Sequence, residues 1–187
     1  FEEADVDVVI YEVGLGGRLD ATNVIKPMVC GITNIGLDHE QILGSARTQI
    51  AYEKLGIVKQ GVPLITTEED QEVLKVFEEV TAKRQSPLIK ALELYQPTEI
   101  SLSENVVTFD WPSLNRVQLS MKGEHQVKNA TLAYAILKFL KEKRKWDISS
   151  VNIYRGMKLA FWAGRVERVR QHPPVMLDGA HNVEGMK

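Results

Sequence analysis

The sequence lacks most of the features that mark disulfide-bonded, nucleic-acid-binding or membrane-spanning proteins. It has one cysteine, Cys30, so no disulfide can form within the chain and a reducing compartment, the cytoplasm, is expected. Lysine and arginine total 23 against 25 aspartates and glutamates, so there is no basic surplus to attract nucleic acid or an anionic membrane. No apolar run approaches the roughly 18 residues that a membrane span requires. We therefore expect a cytoplasmic protein that binds neither nucleic acid nor membrane.

The composition is that of a globular protein with a real core. Hydrophobic residues make up 44% of the 187 residues, and this length predicts one domain or slightly more. The chain opens at Phe1 without a signal pattern, and residues 178–187 are typical of a loop that enters a helix. We therefore expect a piece of a longer protein.

Strands and helices are predicted to alternate. Runs rich in β-branched residues and bounded by turn residues predict buried strands at 6–13, 28–35, 62–66 and 175–178. Apolar residues at helical spacing predict helices over 45–59, from Thr67 onward, over 124–145 and over 150–159. Period-two alternation over 98–121 predicts a small antiparallel meander. The pattern favours an α/β fold with a doubly wound, mostly parallel sheet and an antiparallel β appendage.

The glycine-rich segment Gly14–Gly17 follows the first predicted strand. A dinucleotide-binding fingerprint would need a glycine where Leu19 stands, and no clear helix follows the loop. A nicotinamide cofactor is therefore disfavoured. A turn that needs unusual backbone angles explains the glycines equally well.

Charged side chains stand at the ends of the first two predicted strands. Glu12 interrupts an apolar run, where a carboxylate needs a cation, a metal or a strand end. Asp38 and His39 follow the second strand, and ligands of open α/β sheets bind at the carboxyl ends of strands. The residues are compatible with a metal pair, or with a salt-bridged glutamate and a structural histidine. By itself, Lys54 would be read as a solvated helix lysine.

Six short motifs follow one another along the chain. They are EVGLGGRLDATN at 12–23, GLDH at 36–39, EKLGIVK at 53–59, GEHQ with NA at 123–130, GR at 164–165 and DGAHN at 178–182. His39 follows Glu12 by 27 residues, and Lys54 follows His39 by 15. In order and spacing the motifs resemble those of folylpolyglutamate synthases, which belong to the Mur ligase superfamily of ATP-dependent amide ligases.

The resemblance implies an enzyme that adds L-glutamate to folate, with dihydropteroate as a further substrate left open. Such ligases phosphorylate a carboxylate with ATP, and the amine of an amino acid then attacks the acyl phosphate. Mg²⁺ spreads the charge of the transferring phosphoryl group. A monomer that acts on small molecules is expected.

The resemblance also assigns roles to individual residues. Glu12 and His39 match metal ligands, and Lys54 matches a lysine that CO₂ carbamylates. Asn129, Arg165 and Asp178 match residues on the adenine and ribose side of the nucleotide. His181 matches a catalytic histidine of the second domain. Asp20 lies in the loop near the pterin-bearing substrate.

The chain departs from the family pattern in three places. No Gly-x-x-x-x-Gly-Lys-Ser/Thr phosphate-binding loop occurs in it, most of the C-terminal domain would follow Asp178, and Ala163 replaces the proline of a Trp-Pro-Gly-Arg stretch. The expected organisation is a central ATPase domain without that loop over 1–159, and the start of a Rossmann-like glutamate-ligase domain over 163–187. This chain alone is expected to be inactive.

Two other interpretations stay open. A cell-wall ligase of the same superfamily would share Glu12, His39 and Lys54, although the loop at 14–23 favours the folate branch. A non-catalytic relative that binds a nucleotide or a protein is the other.

Overall fold

The computed structural model describes residues 2–103 and 106–180. The elements follow in the order β1 (Cys30–Ile32), α1 (Glu40–Leu43), α2 (Arg47–Lys54), β2 (Leu64–Thr66), α3 (Gln71–Lys83), β3 (Leu88–Lys90), α4 (Ala91–Leu94), β4 (Thr98–Leu102), β5 (Val107–Trp111), β6 (Leu114–Leu119), α5 (Glu124–Arg144), α6 (Ser150–Leu159), β7 (Glu167–Arg170) and β8 (Val175–Leu177). Short 3₁₀ turns lie at Ala21–Val24 and Leu55–Ile57. Within these residues, no helix combines the length and the apolar composition needed to cross a membrane.

The described strands form three sheets. β1, β2 and β3 lie side by side in a parallel sheet, and the chain crosses from β2 to β3 through α3. β4, β5 and β6 form an antiparallel meander, and β7 pairs with β8 in an antiparallel ribbon. The predicted α/β fold class is therefore confirmed, including the antiparallel appendage.

The chain divides into two compact units, and the first comprises Phe1–Cys30, Leu37–Leu64 and Glu69–Leu88. Its core includes Ile50 within α2, Leu55 directly after α2, and Phe77 on the apolar face of α3. α3 begins at Gln71 rather than at the predicted Thr67. The reason is that Thr67 is buried beside the end of β2, while the Asp70 carboxylate accepts hydrogen bonds from the amides of Glu72 and Val73 and caps the helix.

The second unit comprises Gly31–Gly36, Ile65–Glu68 and Ile89–Lys187. Its core joins the meander to α5: Trp111 stacks on Tyr134 with ring centroids 4.2 Å apart, and its indole N–H donates to the Thr131 hydroxyl at 3.1 Å. Both rings are fully buried. α5 approaches β1 so closely that a Cβ at Gly31 would lie 3.1 Å from Ile136.

The predicted buried strand at 6–13 is wrong. None of its residues belongs to the three described sheets, and Ile10 is 90% exposed. β-branched composition marks residues that fit a strand, but a strand exists only where a neighbour completes its hydrogen-bond ladder. The later strands at 28–35, 62–66 and 175–178 are confirmed as β1, β2 and β8, although each is shorter than predicted.

Candidate functional site

The loop from Gly14 to Asn23, called the glycine loop below, is organised around the carboxylate of Asp20. One oxygen accepts hydrogen bonds from the amides of Gly14 and Leu15 at 3.0 and 3.1 Å. The other accepts from the amide and the hydroxyl of Thr22 at 2.9 and 2.5 Å. These bonds, with that of the Thr22 hydroxyl foremost, lower the pKa of Asp20 from 3.8 to about 2. Asp20 therefore holds the loop in shape, and its contact with substrate stays a prediction.

Glu12 and His39, which the resemblance assigns to metal binding, lie in different local environments. His39 has a left-handed backbone (φ 51°) and stands at the start of α1, with its ring Nε2 3.8 Å from Asp38 Oδ1. Glu12 is exposed, so the premise that it interrupts a buried strand is wrong. Among residues 2–103 and 106–180, no three His, Cys, Asp or Glu side chains form a cluster that could hold a metal ion.

Lys54 is the last residue of α2 and is partly buried. Burial lowers its pKa below the ordinary value, and the negative charge of Asp38 opposes this shift without cancelling it. The structure therefore brings Lys54, Asp38 and His39 to one region of the first unit. It also corrects the interpretation of Lys54 as a solvated helix lysine, because the residue is partly buried and this burial lowers its pKa.

The residues predicted to bind the nucleotide all belong to the second unit. The Asn129 amide donates to Gln126 Oε1 at 3.1 Å, and the Gln126 amide lies 3.1 Å from Nε2 of His125. Gln126 is buried, so these bonds fix the first turns of α5.

Asp178 organises the segment after β8. Its carboxylate accepts hydrogen bonds from the amides of Val166 and Ala180, both at 2.7 Å. These bonds lower the pKa of Asp178, and the charges of Arg165 and His125 lower it further. Arg165 and His125 therefore both lie close enough to Asp178 to affect its pKa. The sequence indicated His125 only as part of a motif.

Sequence reasoning also missed Glu68. Glu68 lies two residues after the end of β2 and is buried. Its carboxylate accepts a hydrogen bond from the Ile35 amide at 2.6 Å. The signal was an acidic residue just after an apolar strand, the same signal that singled out Glu12. His181 lies outside the described residues.

Comparison with known proteins gives one family and a consistent set of relatives. Residues 1–137 match the Mur ligase middle domain. The chain is 38% identical over 189 residues to a dihydrofolate synthase/folylpolyglutamate synthase of Bacillus subtilis, covering 97% of the chain and 43% of that protein. It is 30% identical over 190 residues to a folylpolyglutamate synthase of Lacticaseibacillus casei, covering 100% of the chain and 44% of that protein. The chain thus spans less than half of the length of these curated relatives.

Solved structures of folylpolyglutamate synthases also match nearly the whole chain. A structure described as an FPGS–AMPPCP–folate complex matches with a TM-score of 0.94 at 29% identity, covering 100% of the chain and 46% of that structure. A folylpolyglutamate synthase from Thermotoga maritima matches with a TM-score of 0.84 at 36% identity, covering 98% of the chain and 42% of that structure.

Proposed function

This chain belongs to the Mur ligase family, and we propose that the protein containing it is an ATP-dependent ligase that adds L-glutamate to folate. The observation that carries the proposal is the fit of the whole chain to the FPGS–AMPPCP–folate complex, with a TM-score of 0.94. Named relatives at 38% and 30% identity are folate enzymes of this kind. They support the folate branch over a cell-wall ligase.

We infer that ATP binds with its adenine and ribose side near Asn129, Arg165 and Asp178. Both members of the Asn129–Gln126 pair sit on one helix, so the Asn129 amide is held by a buried partner. Arg165 supplies a positive charge next to the ordered Asp178 carboxylate. A carboxylate and a guanidinium held in this way suit the hydroxyl and phosphate groups of a nucleotide.

Glu12 and His39 are the proposed protein ligands of Mg²⁺. Glu12 offers the carboxylate oxygen that Mg²⁺ prefers, with phosphate oxygens and water to fill most of the remaining positions, whereas the His39 imidazole nitrogen is a donor that suits softer metals better. When bound, the ion would neutralise charge on the transferring phosphoryl group.

Lys54 is the proposed site of carbamylation. Carbamate formation needs the neutral amine, and partial burial makes that form more accessible by lowering the pKa of Lys54. The product would be an anion, which suits a site that handles Mg²⁺ better than an ammonium group does.

The remaining assignments extend the same proposal. Residues 163–187 would open the glutamate-ligase domain that carries His181, and residues 1–159 would belong to the ATPase domain. Asp20 would lie near the pterin-bearing substrate. Dihydrofolate synthesis is a second candidate activity, favoured by the bifunctional name of the Bacillus subtilis relative. The protein would act as a cytoplasmic monomer.

The test is phosphate release by the full-length protein with ATP, L-glutamate and either a reduced folate or dihydropteroate. We expect release only when ATP, glutamate and a folate acceptor are all present. Glu12→Gln and His39→Ala should each abolish turnover while leaving the protein folded, because loss of a ligand removes stabilisation of the phosphoryl group. Full activity of either variant with unchanged Mg²⁺ dependence would refute the metal assignment.

A further inference from the structure

The glycine loop docks onto the C-terminal end of α2, at the residue that precedes Lys54. The Arg18 amide donates to the Glu53 carbonyl at 2.8 Å. The Arg18 guanidinium forms a two-pronged ion pair with the Glu53 carboxylate, with Nε at 3.2 Å and Nη2 at 3.1 Å from its oxygens. Main chain and side chain of Arg18 therefore hold the same residue of the helix.

A second set of bonds fixes the far end of the loop. The side-chain amide of Asn23 donates hydrogen bonds from Nδ2 to the main-chain carbonyls of Arg18 and Gly56 at 2.9 and 3.2 Å. Lys59 Nζ in turn donates to Asn23 O and Oδ1 at 2.9 and 2.6 Å. The loop is thus attached on both sides of Lys54, at Glu53 and at Gly56–Lys59.

Two glycines allow the backbones to come this close. A Cβ at Gly17 would lie 2.7 Å from the Lys54 carbonyl oxygen and 3.0 Å from that of Glu53. A Cβ at Gly56 would overlap the Cα and Cβ of Arg18. Because these neighbours are backbone or are fixed by it, any side chain at either position would push the loop and the helix end apart.

The Arg18–Glu53 ion pair is suited to fixing the position of the helix end rather than to stabilising the chain. The Arg18 side chain is 56% exposed, and ion pairs at such positions add little to stability. The terminal residue of a helix lacks the bonds that hold its interior, so its position depends on capping contacts. The glycine loop supplies one such contact, the bond from the Arg18 amide to the Glu53 carbonyl directly before Lys54, beside the bonds that the Leu55 amide makes to Ala51 and Glu53.

We propose that the glycine loop positions Lys54, with Arg18 and Asn23 as the positioning residues. This deepens the proposed function and rests on it, since the position of Lys54 matters only if Lys54 takes part in the reaction. The loop then acts on the chemical step rather than on the affinity for ATP.

The sharpest variant is Gly56→Ala in the full-length protein. It changes no charge and no hydrogen-bonding group, and Gly56 has no left-handed backbone that would make alanine strained. We expect kcat to fall at least about tenfold with little change in KM for ATP, since misplacing a reacting group by about 1 Å costs up to about a hundredfold. Gly156→Ala is the matched control: Gly156 lies inside α6 with nothing within 4 Å of an added Cβ. Its kinetics should equal those of the unmodified protein.

Asn23→Ala and Arg18→Lys separate positioning from loss of folding. Arg18→Lys keeps the positive charge at an exposed position but loses the two-pronged contact of the guanidinium with Glu53. The protein should therefore stay folded, kcat should fall and KM for ATP should stay unchanged. The ¹³C signal of a carbamate formed from ¹³CO₂ at Lys54 should also require more dissolved CO₂ in each loop variant. Unchanged kcat in folded Arg18→Lys and Asn23→Ala would overturn the positioning role. A full-length protein that releases no phosphate with any folate acceptor would instead overturn the proposed function.

Discussion

At the scale of single residues, the environment rather than the residue type decides which charged side chains have a shifted pKa. Lys54 would be an ordinary helix lysine by sequence, yet burial lowers its pKa. Asp20 would be an ordinary turn aspartate, yet four bonds from Gly14, Leu15 and Thr22 converge on its carboxylate. The Asp20 shift follows from bonds within its own turn and loop, whereas the Lys54 shift follows from burial, which no local pattern encodes.

Replacing Asp20 should weaken the fold in a pH-dependent way. The folded-state pKa is lowered from 3.8 to about 2, so the ionised carboxylate stabilises the fold above pH 3.8 and this stabilisation is lost as the pH falls toward 2. Thermal unfolding between pH 7 and pH 2 should show Asp20→Asn melting below the unmodified protein at neutral pH, with the two curves converging in acid. Asp147→Asn, at an exposed position between α5 and α6, serves as the control. A difference in melting temperature that grows as the pH falls would contradict this account.

At the scale of elements, the sequence predicted the order of strands and helices well and their contacts poorly. Period-two alternation identified the meander over 98–121, and the helical spacing of α5 and α6 gave bounds within a residue or two. The strand at 6–13 failed because its composition says nothing about a partner. The docking of Arg18 on Glu53 could not be foreseen either, since 35 residues separate them along the chain.

Glu68 joins the segments that follow β1 and β2, and its removal should cost stability. Glu68→Ala would leave the buried Ile35 amide without its acceptor, which costs about 1–3 kcal/mol in the free energy of unfolding. Glu72→Ala, at an exposed position in the first turn of α3, should stay within about 0.5 kcal/mol of the unmodified protein. Urea unfolding of both variants measures the difference. An equal loss of unfolding free energy in the two variants would show that the hydrogen bond between Glu68 and the Ile35 amide does not stabilise the segments that follow β1 and β2.

At the scale of the whole molecule, family resemblance supplied what local physics could not. Composition and spacing led to an α/β chain with acidic groups at strand ends, but not to a reaction. The ordered motifs led to folate ligation, and the comparisons support that family and fold along the chain.

The proposed boundary between the two domains should be a site of proteolysis. Phe161 and Trp162 are exposed, and Gly164 has a left-handed backbone (φ 70°) that lets the chain turn there. Limited proteolysis of the full-length protein should cut near residues 160–164, and less so with an ATP analogue and folate bound. Cleavage concentrated around residues 103–116, with none near Gly164, would argue against this boundary.

We propose that the full-length protein activates a folate carboxylate with ATP and joins it to glutamate. The most direct measurement uses folate labelled with ¹⁸O in its terminal carboxylate, followed by mass spectrometry of the phosphate and of the folate product. An acyl phosphate requires that one labelled oxygen leave with inorganic phosphate for each glutamate added. We predict this transfer, its dependence on ATP and glutamate, and its loss in Lys54→Ala. Glutamate addition without any label in phosphate, or no glutamate addition at all, would contradict the account.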